Sequence, residues 1–231
     1  MRTEIINLLK KENKLSDETI SEIKDIDLND FSNIVKEIGK EDTQYIKASE
    51  ISKDLNTEYI GKNLYVFKEV SSTNTVAKFL SMNGIENGSV VISEKQTKAR
   101  GRSGKAWESP IGGVWLSIVL NPHVDHSKLP LITLATGVAV AKTLEKIGVE
   151  NPEIKWPNDI MINGKKVCGI LTEAIAKFNT IENIIIGVGL DANLNLDDFP
   201  EELKEGTTTL EKELGRKGDE NLLIRLFLVL V

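Results

Sequence analysis

The spacing of hydrophobic residues changes near Ala48. In residues 1–45 apolar side chains recur every three or four positions, which is typical of amphipathic helices. They fall into three groups, at residues 5–9, 20–26 and 31–38, and Gly39 follows the last group. We therefore predict a small helical N-terminal segment over residues 1–46, for which a degenerate winged helix is one interpretation. Residues 47–231 are expected to form the main domain.

From Ala48 onward, alternating or continuously apolar segments predict strands, and longer segments with helical spacing separate them. The strands are predicted over residues 64–70, 89–94, 114–120, 160–162, 167–172 and 184–190, and the helices from Ser72 to about Gly84 and over residues 131–147 and 221–231. Asn163-Gly164 is a strong signal for a two-residue hairpin turn. Because both hairpins and helices join the strands, the sequence predicts a mixed β-sheet backed by helices, an α+β (α/β) fold.

The net charge of the chain is −6, which argues against general binding to nucleic acids or anionic membranes. Residues 1–45 contain seven basic and eleven acidic side chains, so this segment would repel phosphates and DNA binding is unlikely. The first residues alternate charged and apolar side chains, so we expect no signal peptide, and no apolar segment approaches the ~20 residues that span a bilayer. A membrane partner is therefore not expected.

Cysteine and histidine are too scarce for a disulfide framework or a zinc site. Cys168 is the single cysteine, which favours a reducing, cytoplasmic location. His123 and His126 are the two histidines, whereas a catalytic zinc ion usually takes three protein ligands. We therefore expect no protein-bound metal site.

A basic loop stands out in this acidic chain. Residues 95–105 hold five positive charges and no acidic residue. Gly101 and Gly104 allow positive φ angles and a close approach of the backbone to a ligand. Such loops bind oxyanions and phosphates. A solvated basic loop, or one that touches RNA, is the alternative that the loop alone leaves open.

Four motifs follow one another in a fixed order. They are Ser71-Ser72-Thr73-Asn74, the segment from Gln96 to Trp107, Lys155-Trp156-Pro157-Asn158-Asp159, and the segment from Lys165 to Glu173. Together they resemble the motifs of biotin protein ligases, and the resemblance covers about residues 48–225. It implies a catalytic domain like those of class II tRNA synthetases and biotin synthetases. The implied activity is ATP-dependent conversion of biotin to biotinyl-5′-AMP, with Mg²⁺, and transfer to a lysine of a biotin carboxyl carrier protein or domain.

The resemblance also implies the roles of individual residues. Joining a carboxylate to the α-phosphate of ATP requires positioning and neutralisation of charge, for which Arg100, Arg102 and Lys166 are the implied catalytic residues. The implied biotin-binding residues are Ser72, Thr73, Asn74, Gln96, Arg100, Gly101, Arg102, Lys166, Gly169, Gly187 and Gly189. The implied ATP-binding residues are Arg100, Arg102, Trp107, Lys155, Asn158, Asp159 and Lys166. Helix capping by residues 72–74 and a purely structural turn at residues 155–159 remain alternatives.

Three features depart from the family pattern. Ala99 stands where glycine is usual, and Asp191 stands where asparagine is usual. The chain also stops where the family continues into a small β-barrel domain, so we expect the C-terminal domain to be absent. The apolar residues 226–231 then lack an obvious partner and suggest a truncated product or self-association, with a homodimer as one form. The rival functions are a lipoate or octanoate transferase of the same superfamily, a biotin-responsive transcriptional regulator, and a non-catalytic binder of biotinyl-AMP.

Overall fold

The computed structural model describes residues 43–82, 85–122, 124–177 and 180–231. The N-terminal helices predicted before residue 43 lie outside the described residues, as do Gly84 and His123. Ile46 is buried in the main hydrophobic core. The described residues that follow position 42 therefore already pack against the main domain.

Seven strands form one mixed sheet. They are β1 (Leu64–Phe67), β2 (Val90–Ser93), β3 (Val114–Leu120), β4 (Glu153–Lys155), β5 (Asp159–Ile162), β6 (Lys165–Lys177) and β7 (Thr180–Leu190). Their order is β1-β2-β3-β7-β6-β5-β4. Only β1 and β2 are parallel among these neighbouring pairs, and the other five pairs are antiparallel. The mixed sheet confirms the predicted α+β class.

The hairpin between β5 and β6 turns at Asn163 and Gly164, as predicted. Their φ angles are 51° and 73°, and a two-residue hairpin turn of this kind needs positive φ at both positions. A β-bulge follows in the same pair of strands, where the register shifts between Ile160 and Met161. The turn and the bulge together fix which residues of β6 lie opposite β5.

The described helices are α1 (Ala48–Ser52), α2 (Thr73–Met82), α3 (Leu129–Lys146), α4 (Glu201–Lys204), α5 (Leu210–Leu214) and α6 (Glu220–Leu230). Helix α2 packs on one face of β2, β3 and β7, whereas α3 and α6 pack on the other. Successive strand residues supply the two faces, as when Ile185 contacts the α2 layer and Ile184 the α3–α6 core. Within the described ranges, no helix has both the length and the apolar character that crossing a bilayer requires.

Helix α6 packs against α1 and α3, which corrects one expectation from the sequence. Leu223, Ile224, Phe227 and Leu228 are buried in the main core, and Val229 is 48% exposed. The expectation that residues 226–231 have no partner was wrong. The partner helices lie far away along the sequence, so a local hydrophobic pattern does not reveal them.

Candidate active site

A cleft of about 460 Å³ lies where the N-terminus of α2, the basic loop and the central strands meet. Lining the cleft are these residues that the sequence singled out: Ser72, Thr73, Asn74, Gln96, Arg100, Gly101, Arg102, Trp107, Asn158, Asp159, Lys166, Gly169, Gly187 and Gly189. Lys155 does not line it, because this lysine lies exposed on the edge strand β4. The fold therefore brings together residues from four motifs that are up to about a hundred positions apart.

Glycines of β6 and β7 form a side of the cleft without side chains. Gly169 and Gly189 are paired across the two strands. A Cβ atom on Gly189 would lie 2.6 Å from Trp107 Nε1, and one on Gly187 would lie 2.2 Å from Asn74 Oδ1. Both distances are too short for real contacts, so the two glycines allow Trp107 and Asn74 to lie against the strands.

Neutral polar groups occupy the end of the cleft near α2. Gln96 Oε1 accepts from the backbone N–H of Thr73 at 2.7 Å, and Gln96 Nε2 donates to Ser109 Oγ at 3.0 Å. Ser117 Oγ lies 2.8 Å from Thr73 Oγ1 and 2.6 Å from Asn74 Oδ1. These hydrogen bonds fix the orientation of the side chains before any ligand enters, which lowers the ordering cost of binding.

The basic loop folds back on itself as a narrow hairpin. Arg100 and Ala106 form an isolated antiparallel bridge, and the Trp107 N–H donates to Ala99 O at 3.0 Å. At the tip, Gly104 uses the conformational freedom of glycine with a φ of 72°, whereas Gly101 has a φ of −91°. The loop makes its second left-handed residue at Ser103, where φ is 57°.

Arginine and asparagine join the basic loop to the β5–β6 hairpin. Arg102 Nη1 donates to Asn158 Oδ1 at 3.0 Å, and Asn158 Nδ2 donates to the backbone oxygen of Ile170 at 3.1 Å. This arrangement connects a residue of the loop to the backbone of β6. The Arg102 guanidinium is thereby directed toward the same part of the cleft as the residues of β6.

Lys166 lies between an acid and an aromatic ring. Its Nζ atom is 2.6 Å from Asp159 Oδ1 and 4.8 Å from the centroid of the Trp107 ring. The Lys166 backbone N–H donates to Gly206 O at 2.9 Å, and its carbonyl accepts from the Thr208 N–H. Asp159 and Trp107 therefore hold the ammonium group, and hydrogen bonds to Gly206 and Thr208 fix the backbone of Lys166.

Apart from Asp159 Oδ1, which is paired with the Lys166 ammonium group, two buried polar atoms at this end of the cleft have no hydrogen-bond partner among the described residues. They are Asp191 Oδ1 and Trp107 Nε1. Burial raises the pKa of Asp191 well above its usual value, while the charge of Lys166 acts in the opposite direction. Burial likewise raises the pKa of the Cys168 thiol, so this cysteine is not a nucleophile at neutral pH. An acceptor and a donor thus stand unpaired beside the cationic residues.

Comparison with known proteins decides the family. The model of the biotin/lipoate A/B protein ligase family matches residues 66–191, which is more than half of the chain. The chain belongs to this family. The matched range includes the α2 end of the cleft, the basic loop, the β5–β6 hairpin and the glycines of β7.

Relatives of this family member carry the names of biotin ligases, which confirms the predicted resemblance. The bifunctional ligase/repressor BirA of Bacillus spizizenii is 41% identical over 187 residues, covering 80% of this chain and 56% of the relative. Biotin–protein ligase 1 of Arabidopsis thaliana is 32% identical over 232 residues, covering 97% and 59%. The chain thus spans little more than half the length of these curated relatives.

A solved structure supports the same assignment of the fold. Biotin protein ligase from Aquifex aeolicus, in complex with biotin and ATP, has a TM-score of 0.62 and 35% identity with this chain. The comparison covers 72% of this chain and 67% of that one. The mixed sheet and its helices therefore have the architecture of the biotin protein ligase catalytic domain, as the sequence predicted.

Sequence reasoning assigned no role to three polar residues of this family member's site, Ser109, Ser117 and Glu173, although Glu173 is the last residue of the fourth motif. Ser117 was quoted only as part of a strand, although a lone serine within the apolar segment Val-Trp-Leu-Ser-Ile-Val-Leu is a signal that something polar must satisfy it. Glu173 likewise interrupts an apolar strand and accepts from Asn74 Nδ2 at 2.6 Å. A polar residue inside a strand of the central sheet therefore indicates the site.

Metal ligands are a separate matter. Across residues 43–82, 85–122, 124–177 and 180–231, no three or more His, Cys, Asp or Glu side chains are grouped so that they could hold a metal ion. Mg²⁺ in ATP-dependent enzymes is usually bound by one or two carboxylates together with the phosphates of the nucleotide.

Proposed function

We propose that the chain is a biotin protein ligase that activates biotin with ATP and transfers the biotinyl group to a lysine of a biotin carboxyl carrier protein or domain. One observation carries this proposal. The same cleft is lined by neutral hydrogen-bonding side chains near α2 and by the cations Arg100, Arg102 and Lys166. Biotin has the matching shape, with a neutral ureido ring at one end and a carboxylate at the other.

In the first step, a carboxylate oxygen of biotin attacks the α-phosphorus of ATP, and the bond to pyrophosphate breaks. Two negatively charged groups must meet, so the step depends on positioning and on neutralisation of charge rather than on a nucleophile of the protein. Arg100, Arg102 and Lys166 supply this charge. Lys166 is already oriented by Asp159 and by the Trp107 ring, which limits the reorganisation that the reaction requires.

In the second step, the ε-amine of the carrier lysine attacks the acyl carbon of biotinyl-5′-AMP. A carbon–nitrogen bond forms, the carbon–oxygen bond to AMP breaks, and the amine loses a proton. The mixed anhydride is reactive, so water must be kept away until the carrier arrives. The basic loop and Trp107 lie over the glycines of β6 and β7, where they can shield the intermediate.

The unpaired atoms of Trp107 and Asp191 support ATP as the second substrate. Adenine offers both hydrogen-bond donors and acceptors at its edge. The indole N–H donates, and the Asp191 carboxyl group, whose pKa burial raises, accepts when ionised and can also donate when protonated. The position of both groups beside Lys166 suits a nucleotide whose α-phosphate reaches that lysine. We propose that Mg²⁺ enters with the ATP phosphates, as ligands supplied mostly by the nucleotide would require.

The α2 end of the cleft favours biotin over lipoate. Thr73, Asn74 and Gln96 carry several donors and acceptors in a confined space, where unmatched polar groups are penalised. The ureido group of biotin can pair with them, whereas the dithiolane ring of lipoate offers no N–H and no carbonyl.

The proposal also includes the division of the chain into an N-terminal segment, residues 1–46, and a catalytic domain, residues 47–231, and a cytoplasmic location for the protein.

The proposal is tested by transfer of labelled biotin to an apo carrier domain, with and without ATP. Lys166→Ala should slow biotin-dependent release of pyrophosphate by ~100-fold or more, which is the usual loss for one charge-stabilising group. Lys165→Ala is the matched control, because this neighbouring lysine does not line the cleft. ATP-independent labelling of the carrier would contradict the proposed reaction. Near-normal release by Lys166→Ala would remove that lysine from the mechanism.

A further inference from the structure

Glu173 makes a hydrogen bond that fixes the amide of Asn74. Asn74 Nδ2 donates to Glu173 Oε2 at 2.6 Å and lies 3.4 Å from the backbone oxygen of Leu171. Both of these oxygens accept hydrogen bonds, so the nitrogen of the amide must face them. The oxygen of the same amide consequently faces the opposite way, toward Ser117.

The orientation of Asn74 then determines the direction of the hydrogen bonds that follow. Ser117 has a single hydroxyl proton, and it must donate this proton to Asn74 Oδ1 at 2.6 Å. Ser117 Oγ therefore accepts from the Thr73 hydroxyl, which lies 2.8 Å away. The Thr73 hydroxyl also lies 3.1 Å from Gln96 Oε1, but that oxygen already accepts from the Thr73 backbone N–H at 2.7 Å. The shorter contact with Ser117 therefore takes the hydroxyl proton.

The chain of hydrogen bonds leaves Thr73 with lone pairs but no proton for a ligand. Thr73 lines the cleft, whereas Glu173 does not. If the Asn74 amide were reversed, Ser117 would accept from Asn74 and donate to Thr73. The Thr73 proton would then be released from Ser117 and could go to Gln96 Oε1, 3.1 Å away, or to a ligand. The carboxylate thus controls, through two intervening side chains, whether Thr73 presents an acceptor or a donor.

We propose that Glu173 is a positioning residue that makes Thr73 a hydrogen-bond acceptor and so selects ligands that present an N–H group at the α2 end of the cleft. The inference rests on the proposed function for the identity of that ligand, which is the ureido ring of biotin. Glu173 acts through Asn74 and Ser117 rather than by contact with the substrate. Its role is therefore in specificity and affinity, and the chemical step depends on the cations of the cleft.

The first test compares Glu173→Leu, which cannot accept a hydrogen bond, with Glu173→Gln, which retains an acceptor oxygen. We expect Glu173→Leu to raise the Kd for biotin by about tenfold or more, which corresponds to one or two lost hydrogen bonds. The KM for ATP and the rate at saturating biotin should stay within about threefold. Glu173→Gln should bind biotin nearly as the wild type does. Glu182→Leu, on an exposed position of β7, is the control for the substitution itself.

A second ligand separates this role from a merely structural one. Biotin methylated on a ureido nitrogen lacks one N–H, so the wild type should bind it much more weakly than biotin. Glu173→Leu should discriminate less between the two ligands, because Thr73 no longer presents a fixed acceptor. An unchanged ratio of the two Kd values in Glu173→Leu would overturn the inference, whatever happens to the absolute affinities.

Exchanging the amide and the carboxylate between positions 74 and 173 keeps the inference testable even if Glu173→Leu does not fold. Asn74→Asp alone places two carboxylates against each other and should weaken biotin binding by tenfold or more. Adding Glu173→Gln restores a donor facing an acceptor, since Gln can donate to the new aspartate, and should recover most of the affinity. A double variant that binds as weakly as Asn74→Asp would contradict the proposal.

Calorimetry with biotin alone distinguishes a failure of the proposed function from a failure of the role of Glu173. If the wild type does not bind biotin, the proposed function fails. If the wild type binds biotin and all the Glu173 variants bind it equally well, the proposed function stands and only the role of Glu173 is refuted.

Discussion

Replacing Gly189 with alanine tests whether Trp107 must lie against β7 for the site to work. The added Cβ would lie 2.6 Å from Trp107 Nε1 and 2.9 Å from its Cε2, where ordinary contacts begin at 3.4 Å. Strand β7 cannot yield easily, because it is hydrogen-bonded to β3 on one side and to β6 on the other. The indole ring must therefore move away by about 1 Å.

The size of the effect follows from what the ring contacts. Its centroid is 4.8 Å from Lys166 Nζ, and a cation–π interaction of this kind contributes about 0.5–2 kcal/mol. A displacement of about 1 Å in a group that positions reactants can cost ~10²-fold in rate. We expect Gly189→Ala to slow pyrophosphate release by about 30- to 100-fold. Stability should be little changed, because alanine is favoured over glycine in a strand.

The assay is biotin-dependent pyrophosphate release at saturating substrates, with urea unfolding of the same samples. Gly206→Ala is the matched control, since a Cβ atom there meets nothing within 4 Å. It should retain the wild-type rate. Release by Gly189→Ala within about threefold of the wild type would refute the reasoning, because the ring could then move without consequence.

Two further predictions concern stability. Asp191→Asn should stabilise the protein near neutral pH and have no effect in acid. Because burial raises the folded-state pKa of Asp191, wild-type stability falls as pH rises from the unfolded pKa of about 4 toward that raised value. Urea unfolding of both proteins from pH 4 to 8 measures this. Parallel plots of unfolding free energy against pH for the wild type and Asp191→Asn would contradict it. Phe227 is buried and Val229 is half exposed, so Phe227→Ala should cost about 3–5 kcal/mol of unfolding free energy and Val229→Ala less than about 1 kcal/mol. Equal losses in urea titrations would mean that α6 is not packed as described.

Local patterns in the sequence predict much of the sheet. Strand β3 is found at the predicted residues, since seven consecutive apolar or small residues form a strand that is buried along nearly its whole length. Strand β4 was missed because its three residues are all exposed and give no hydrophobic period. A strand at the edge of a sheet can be held by backbone hydrogen bonds alone, which the side chains do not reveal.

The site was predicted less completely, for a related reason. Thr73, Asn74 and Gln96 belong to recognisable motifs, so their presence in the cleft could be expected. Ser117 and Glu173 lie inside apolar strands, and their partners are about 40 and 100 positions away along the chain. Motifs identify the residues that recur in a family, whereas the side chains that orient them become visible only when the sheet register is known.

The turn at Asn163-Gly164 and the bulge after Ile160 also decide how the protein can tolerate insertions and deletions. Adjacent strand residues point to opposite faces, so Lys165 and Lys166 exchange places if the hairpin slips by one position. A deletion or insertion of one residue between Ile160 and Lys165 would then turn the wrong lysine toward the cleft. Surface turns usually accept such changes in length. Here the length of an exposed turn determines which lysine faces Asp159 and Trp107 inside the site, and natural variants should keep it constant.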